Sequence, residues 1–120
     1  MRAKANDTTT SRGREAEERA ARHLERCGQR VVERNFRVRG GEIDLICRDG
    51  RFLVFVEVRQ RSRGDFGGAA ASITASKRQR IILAARHYLA GKAECDCRFD
   101  CVLIDGDQLD WIRDAFAADD

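Results

Sequence analysis

The spacing of apolar residues predicts two helices in this chain. From residue 13 to 27, apolar side chains recur at helical spacing among charged ones, and Gly28 is placed to end this helix in a left-handed conformation. A second apolar stripe follows Ser76, which matches a capping box with Gln79, and Gly91 closes it. We therefore expect two amphipathic helices that each bury one face.

Elsewhere apolar and polar residues alternate, which is the pattern of a β-strand with one buried face. VVERNFRVR, EIDLIC and RFLVFVEVR predict three strands, joined by turns at Gly40-Gly41 and Asp49-Gly50 into an antiparallel meander. CRFDCVLID predicts a fourth strand and QLDWIRDAF a short fifth. The expected structure is α/β, with the element order α-β-β-β-α-β(-β).

The segments without periodicity divide the chain in a simple way. We expect residues 1–12 to be a flexible lead-in, residues 13–116 to be one domain and residues 117–120 to be a polar tail. Residues 61–72 contain three glycines and little large apolar content. This composition predicts a mobile loop between the third strand and the second helix.

Composition sets the broad class of the protein. The 120 residues carry a net charge of only +3, so total charge does not by itself predict a polyanion as partner. The five cysteines and the lack of a signal peptide favour reduced thiols in a cytoplasmic protein, and the run FLVFV is too short to cross a membrane. No zinc is expected, because the C-x-C-x3-C spacing of Cys95, Cys97 and Cys101 fits no common site and the last two suit a strand's core face.

Acidic residues interrupt two of the apolar strands. If Asp49-Gly50 is a two-residue turn, Asp44 faces Phe55 and Glu42 faces Glu57 on one side of the sheet. The other side of this strand pair is then wholly apolar and ready to be buried. Its residues are Ile43, Leu45, Cys47, Phe52, Val54, Val56 and Val58.

The predicted register gathers the acids at one end of the sheet. Asp44 and Glu57 are diagonal neighbours, roughly 7 to 8 Å apart between their backbones, so their carboxylates can converge. Like charges held together repel each other and need a cation. Glu17 lies seven residues before Leu24 on the first helix, at the edge of the buried stripe, where it could face either the sheet or the solvent.

Arginines within the sheet offer a competing explanation for these acids. Extending the register through Gly40-Gly41 puts Arg37 opposite Asp44 and Arg39 opposite Glu42. Such pairs would neutralise the carboxylates without a metal. The spacing alone does not decide between an ion-pair network and a metal site.

These residues together resemble a known family. Gly13 and Glu17 form G-x-x-x-E in the first helix, and GEIDLI at 41–46 precedes FVEVR at 55–59. This arrangement, which continues to RDAF at 113–116, resembles the YraN-like family of bacterial proteins. That family in turn resembles archaeal Holliday junction resolvases of the PD-(D/E)xK nuclease superfamily. The resemblance implies a restriction-endonuclease-like fold with a mixed central sheet.

The resemblance also implies a metal-dependent site. Asp44 and Glu57 would hold Mg²⁺ or Mn²⁺, hard cations suited to oxygen ligands, and Glu17 would be an outer or third ligand. Arg59 stands where the superfamily motif has lysine. A guanidinium stays protonated, so Arg59 could stabilise transition-state charge as a catalytic residue but could not act as the general base. Lys77 matches a lysine usual in the family.

Basic residues near the acids suggest nucleic acid as a partner. Lys77, Arg78 and Arg80 crowd the first turns of the second helix, and Arg61 and Arg63 follow the third strand. No aromatic platform for single strands is evident, so duplex or branched DNA is expected, and two-fold symmetric junctions would suit a homodimer. Basic residues on a helix also form ordinary solvated faces, and that explanation stays open.

The sequence is therefore compatible with two functions. One is a metal-dependent endonuclease acting on structured or branched DNA. The other is a nuclease-fold module that binds nucleic acid or a protein partner without cleavage, because Arg59 replaces the motif lysine.

Overall fold

Five strands form one mixed sheet with a helix packed on each face in the described part of the chain. The computed structural model describes the backbone of residues 8–60 and 73–118, and the side chains of residues 13–60 and 73–118. The helices are α1 (Thr8–Arg26) and α2 (Ala75–Leu89). The strands are β1 (Arg30–Val38), β2 (Gly41–Asp49), β3 (Phe52–Gln60), β4 (Asp96–Asp105) and β5 (Gln108–Phe116).

The order of strands in the sheet follows the chain, β1-β2-β3-β4-β5. β1, β2 and β3 form the predicted antiparallel meander, β4 runs parallel to β3, and β5 is antiparallel to β4. A parallel pair needs a long crossover, and here the connection from β3 to β4 contains α2. The predicted α/β class is confirmed, and so is the predicted order of the elements within residues 8–60 and 73–118.

The core divides into two clusters, one on each side of the sheet. Leu53 and Phe55 of β3 pack with the residues of α2, whereas Val54 and Val56 pack with those of α1. This alternation is the period of a strand whose two faces are both buried. Cys97 and Cys101 belong to the cluster of α2, which confirms their predicted place on one face of β4.

The helix boundaries differ from the predicted ones at two points. α1 begins at Thr8, so residues 8–12 of the expected lead-in are helical. The N-cap of α2 is Thr74, whose hydroxyl accepts a hydrogen bond from the Lys77 N–H at 3.1 Å, so the predicted capping box at Ser76 is wrong. Gly28 has φ +95°, which confirms its predicted left-handed conformation after α1.

The register of β2 on β3 is shifted by two residues from the predicted one. Asp49 pairs with Phe52 and Leu45 with Val56, so the turn lies at Gly50-Arg51 and not at Asp49-Gly50. An even shift keeps the paired residues Leu45 to Cys47 and Phe52 to Val56 on their predicted faces but changes their partners. Asp44 therefore no longer faces Phe55, because Phe55 pairs with Ile46.

Two further corrections concern β2. Ile43 packs in the α2 cluster with Ile46, so the apolar face predicted to contain Ile43 loses this residue. Arg37 lies opposite Glu42 and not opposite Asp44, because the two-residue turn between β1 and β2 lies at Arg39-Gly40, one residue earlier than predicted. Val38 pairs directly with Gly41. The predicted neutralisation of Asp44 by a facing Arg37 is therefore wrong.

Some sequence predictions lie outside the described residues. These are the remainder of the lead-in at 1–7, the loop at 61–72 with Arg61 and Arg63, and the end of the tail at 119–120. Neither described helix combines the length and apolar character that a bilayer crossing requires.

Candidate active site

Asp44 and Glu57 meet where β2 and β3 leave their regular pairing. The last regular pair joins Leu45 to Val56, and the next residue on each strand is one of the two acids. Their carboxyl groups are close enough to share a hydrogen bond, which requires that one of them carry a proton. The two acids thus converge as predicted, but they are direct neighbours across β2 and β3 and not diagonal neighbours.

Glu57 is an almost fully buried carboxyl group with incomplete hydrogen bonding. Its side chain is 4% exposed, and no hydrogen-bond partner among the described residues reaches Oε1. Burial and the neighbouring charge of Asp44 raise the pKa of Glu57 to about 8. The group is therefore placed where its charge is costly unless a cation approaches it.

Asp44 is held in a fixed position by the main chain of β3. The Val58 N–H donates a hydrogen bond to Asp44 Oδ2 at 2.8 Å. Burial raises the pKa of Asp44, although the Val58 N–H and the bond with Glu57 act in the opposite direction. One oxygen of Asp44 is thus anchored by the main chain.

Glu17 of α1 faces this site and not the solvent alone. Its carboxyl group lies beside Asp44, and the side chain of Asn35 also forms a hydrogen bond with it. Burial, followed by the charge of Asp44, raises the pKa of Glu17. The structure thereby decides the alternative that helical spacing left open. Asn35, at φ 51°, is a member of the site that alternation along β1 could not reveal.

Basic side chains border the acids on the side of α2. Lys77 Nζ lies 3.7 Å from Glu57 Oε2 and 3.3 Å from Glu42 Oε2. Arg59 Nη1 lies 3.7 Å from Glu57 Oε2, and Arg80 Nη2 lies 3.4 Å from Glu42 Oε1. Lys77 thus places an ammonium group next to Glu57 although it comes from α2 and not from β3.

Glu42 differs from the other acids because it is already neutralised. Burial acts to raise its pKa, but Lys77, Arg37 and Arg80 together hold the pKa of Glu42 below its ordinary value. Glu42 therefore belongs to an ion-pair network, but its ion-pair partners Lys77 and Arg80 come from α2 and not from the sheet, where the competing explanation placed Arg39. That explanation does not extend to Asp44, since none of the ion pairs within the described residues includes it.

A cleft of about 360 Å³ gives access to these groups. Residues of α1, β2, β3 and α2 all contribute to its walls, so the site lies where both helices approach one end of the sheet. The lining residues are Gly13, Ala16, Glu17, Glu42, Asp44, Glu57, Val58, Gln60 and Lys77.

The donor set fits a hard divalent cation. Asp44 and Glu57 offer carboxylate oxygens, and Oε1 of Glu57 is a buried acceptor to which no residue of the described ranges donates. Among the described residues, no three His, Cys, Asp or Glu side chains are already arranged around one metal position. The two carboxyl groups would have to exchange their mutual hydrogen bond for the ion.

The predicted site residues are thus largely brought together. Glu17, Asp44 and Glu57 line one cleft together with Lys77, which was predicted as a nucleic-acid contact and matched to a lysine usual in the family. Arg59 is not among the lining residues but lies 3.7 Å from Glu57 Oε2. Of the other predicted nucleic-acid contacts, Arg80 pairs with Glu42, while Arg78 is half-buried on the first turn of α2.

Comparisons with known proteins agree on one family. Residues 16–104 match the model of "Uncharacterised protein family UPF0102". A UPF0102 protein of Dechloromonas aromatica is 81% identical over the full length of both chains. Another, from Cupriavidus taiwanensis, is 58% identical over 91% of this chain and 85% of its own. A third, from Nitrosomonas europaea, is 53% identical over 88% of this chain and 93% of its own.

Proposed function

The chain belongs to UPF0102, the family of YraN-like proteins, and on that premise we propose that it is a metal-dependent endonuclease acting on structured or branched DNA. One observation carries the proposal. Asp44 and Glu57 meet in a buried site, and Glu57 keeps an acceptor oxygen that none of the described residues satisfies. A carboxylate pair of this kind is suited to bind a divalent cation in front of a phosphodiester.

The proposed fold is restriction-endonuclease-like. The five-stranded mixed sheet with α1 and α2 on its two faces is compatible with it. In such a fold the acids of the second and third strands share one end of the sheet, as Asp44 and Glu57 do here. Fold alone does not establish activity, so the proposal depends on the side chains in the cleft.

Asp44 and Glu57 would hold Mg²⁺ or Mn²⁺. A bound divalent cation neutralises charge on the phosphate and lowers the pKa of a water molecule. The Val58 N–H fixes one oxygen of Asp44, so that the carboxylate keeps its orientation. Glu17, in contact with Asp44, completes the acidic side of the cleft.

Lys77 and Arg59 would divide the roles of the single motif lysine. Both lie 3.7 Å from Glu57 Oε2. Arg59 remains charged and would stabilise negative charge that develops on the phosphate. A lysine takes part in proton transfer as a base only in its neutral amine form, and in that form Lys77 would accept the proton of the attacking water.

A cleavage assay tests this proposal. We expect the wild type to cut a four-way DNA junction in the presence of Mn²⁺, and Asp44→Asn to abolish cutting. Lys77→Met should slow it by about 10² to 10⁴, the usual effect of removing a proton-transfer group. Asp110→Asn on exposed β5 is the matched control and should cut like the wild type. Equal cutting by Asp44→Asn and the wild type would show that the activity arises elsewhere.

A binding module without cleavage is the second candidate function, and Arg59 is the observation that favours it. A guanidinium beside Glu57 cannot exchange a proton, which leaves the chemistry dependent on Lys77. Arg59→Lys separates the two functions. In an endonuclease, it should raise Mn²⁺-dependent cutting of the junction. If neither protein cuts while both bind the junction and the metal, the binding module is the correct function.

A further inference from the structure

A row of side chains crosses the sheet at the end far from the acids. Arg30 of β1 pairs with Arg48 of β2, Arg48 pairs with Leu53 of β3, and Leu53 pairs with Cys97 of β4. Residues paired in this way share a face of the sheet. Leu53 packs in the cluster of α2, so both arginines project on the α2 side.

These arginines line a cleft beyond the last turn of α2. The cleft has a volume of about 290 Å³, and Tyr88 and Lys92 form part of its wall. Lys92 Nζ lies 4.5 Å from the centre of the Tyr88 ring, which holds a third cation beside the two arginines. We call this site the arginine cleft.

The charge of the arginine cleft is not balanced. Its lining includes three cations, Arg30, Arg48 and Lys92, but only one acid, Glu94. Among the ion pairs of residues 13–60 and 73–118, none includes any of these three cations. Like charges directly opposite each other on neighbouring strands destabilise a sheet, and an anion bound between them would remove the repulsion.

We propose that the arginine cleft binds the phosphate backbone of a nucleic acid whose neighbouring segment lies at the Asp44–Glu57 site. This inference rests on the proposed function for the identity of the anion. α2 joins the two sites, since Lys77 lies in its first turn at the acids and Tyr88 in its last turn at the arginine cleft.

The spacing of the two sites suits a duplex. Tyr88 lies about 16 Å along the helix axis from Lys77. DNA rises about 3.4 Å for each base pair, so a duplex along α2 would span the two sites within about five base pairs. The arginine cleft would then position the substrate without reading its sequence, because phosphate contacts carry no base information.

Duplex binding without metal tests the proposal. The probe is a fluorescently labelled DNA duplex, titrated by anisotropy with the full chain over a series of salt concentrations. For Arg30→Gln/Arg48→Gln, we expect roughly tenfold weaker binding, and a slope of log K against log salt that is smaller by about 2. A double control, Arg22→Gln/Arg113→Gln, removes two exposed charges from α1 and β5 and should behave like the wild type.

Conservative variants separate binding from folding. Arg30→Lys/Arg48→Lys keeps both charges and should restore the wild-type slope. The glutamine double variant should melt no lower than the wild type, because it removes a like-charge pair. Equal binding by the glutamine variant and the control would overturn the proposal. So would poly-glutamate that competes as well as unlabelled duplex, since that would assign the cleft to acidic peptides.

These results distinguish a failure of the arginine cleft from a failure of the proposed function. If the wild type fails to cut DNA but the glutamine variant loses duplex binding, the proposal for the arginine cleft is supported and the proposed endonuclease activity is contradicted. If cutting depends on Asp44 while the glutamine variant binds normally, the endonuclease stands and the arginine cleft is wrong.

Discussion

Two buried carboxyl groups in the same sheet have opposite surroundings. Asp100 of β4 is 0% exposed and Glu57 of β3 is 4% exposed. Asp100 accepts hydrogen bonds on both oxygens, whereas Oε1 of Glu57 has no partner among the described residues. The comparison teaches that burial alone does not describe the state of an acid in the core. The two acids differ in whether the described residues supply donors to both carboxyl oxygens.

The partners of Asp100 come from two strands. Arg98 donates through Nε at 2.9 Å and Nη2 at 3.1 Å, and Trp111 donates through Nε1 at 2.9 Å. The N–H of Asp114 adds a fourth bond at 2.9 Å. The register of β4 and β5 shifts beside Asp100, and Asp114 has φ 55° at this irregularity. Asp100 therefore fastens the last strand to the sheet.

The largest expected effect is on stability at Asp100. Asp100→Ala should lower the free energy of unfolding by about 3 to 5 kcal/mol, because it leaves the Arg98 guanidinium and the Trp111 N–H without their buried acceptor. Urea denaturation of the variant and the wild type measures this change. The control Asp110→Ala, at an exposed position of β5, should change stability by less than about 0.5 kcal/mol. A loss at Asp100 no larger than the control would mean that its four bonds contribute little.

Replacing Glu57 should have the opposite effect on stability from replacing Asp100. Because its pKa is raised to about 8 in the folded protein, the folded state keeps a proton that the unfolded state releases near pH 4.5. Without metal, the stability of the wild type should therefore fall as the pH rises from about 5 to 8, by at most about 1.4 kcal/mol per pH unit. Glu57→Gln cannot ionise, so it should be more stable than the wild type at pH 8 and should flatten this decline.

Urea denaturation at several pH values, in buffer containing a chelator, measures the effect at Glu57. Glu33→Gln is a suitable control, because Glu33 is exposed on β1. It should leave the pH dependence unchanged. A wild type that gains stability between pH 5 and 8, or a Glu57→Gln variant that loses it at pH 8, would contradict the description of Glu57 as an unsatisfied acid.

A smaller loss of stability is expected when the N-cap of α2 is removed. Thr74→Ala removes the hydroxyl that accepts from the Lys77 N–H, which should cost about 1 kcal/mol of stability. Ser76→Ala, at the position where the sequence suggested the cap, should cost less. Thermal or urea denaturation of the two variants compares them. If Ser76→Ala is the more destabilising change, the assigned N-cap is wrong.

Sequence patterns predicted which face of the sheet each side chain lies on better than they predicted which residues pair across neighbouring strands. Alternation in FLVFVEV assigned Val54 and Val56 to one face and Phe55 to the other, and both clusters confirm this. The turn after β2 was predicted one residue too early, and that error moved every pair by two. An even shift leaves the hydrophobic pattern intact, so the pattern could not detect it.

The partners of each acid were harder to predict, because they depend on tertiary structure. Asp44 and Glu57 could be identified as converging acids because both interrupt apolar strands. Lys77 lies next to Glu57 only because the crossover places α2 on the sheet. The spacing of residues along the chain does not predict that placement. Asp100 was assigned no role, since its donors Arg98 and Trp111 meet only when β5 pairs irregularly with β4.

Calorimetric titration of Mn²⁺ into the full chain tests the central claim most directly. If the Asp44–Glu57 pair lacks only a cation, the wild type should bind Mn²⁺, and both Asp44→Asn and Glu57→Gln should lose the binding heat. Asp110→Asn should retain it. Identical heats from the wild type and the two site variants, or no heat from any of them, would contradict the assignment of these carboxyl groups as metal ligands.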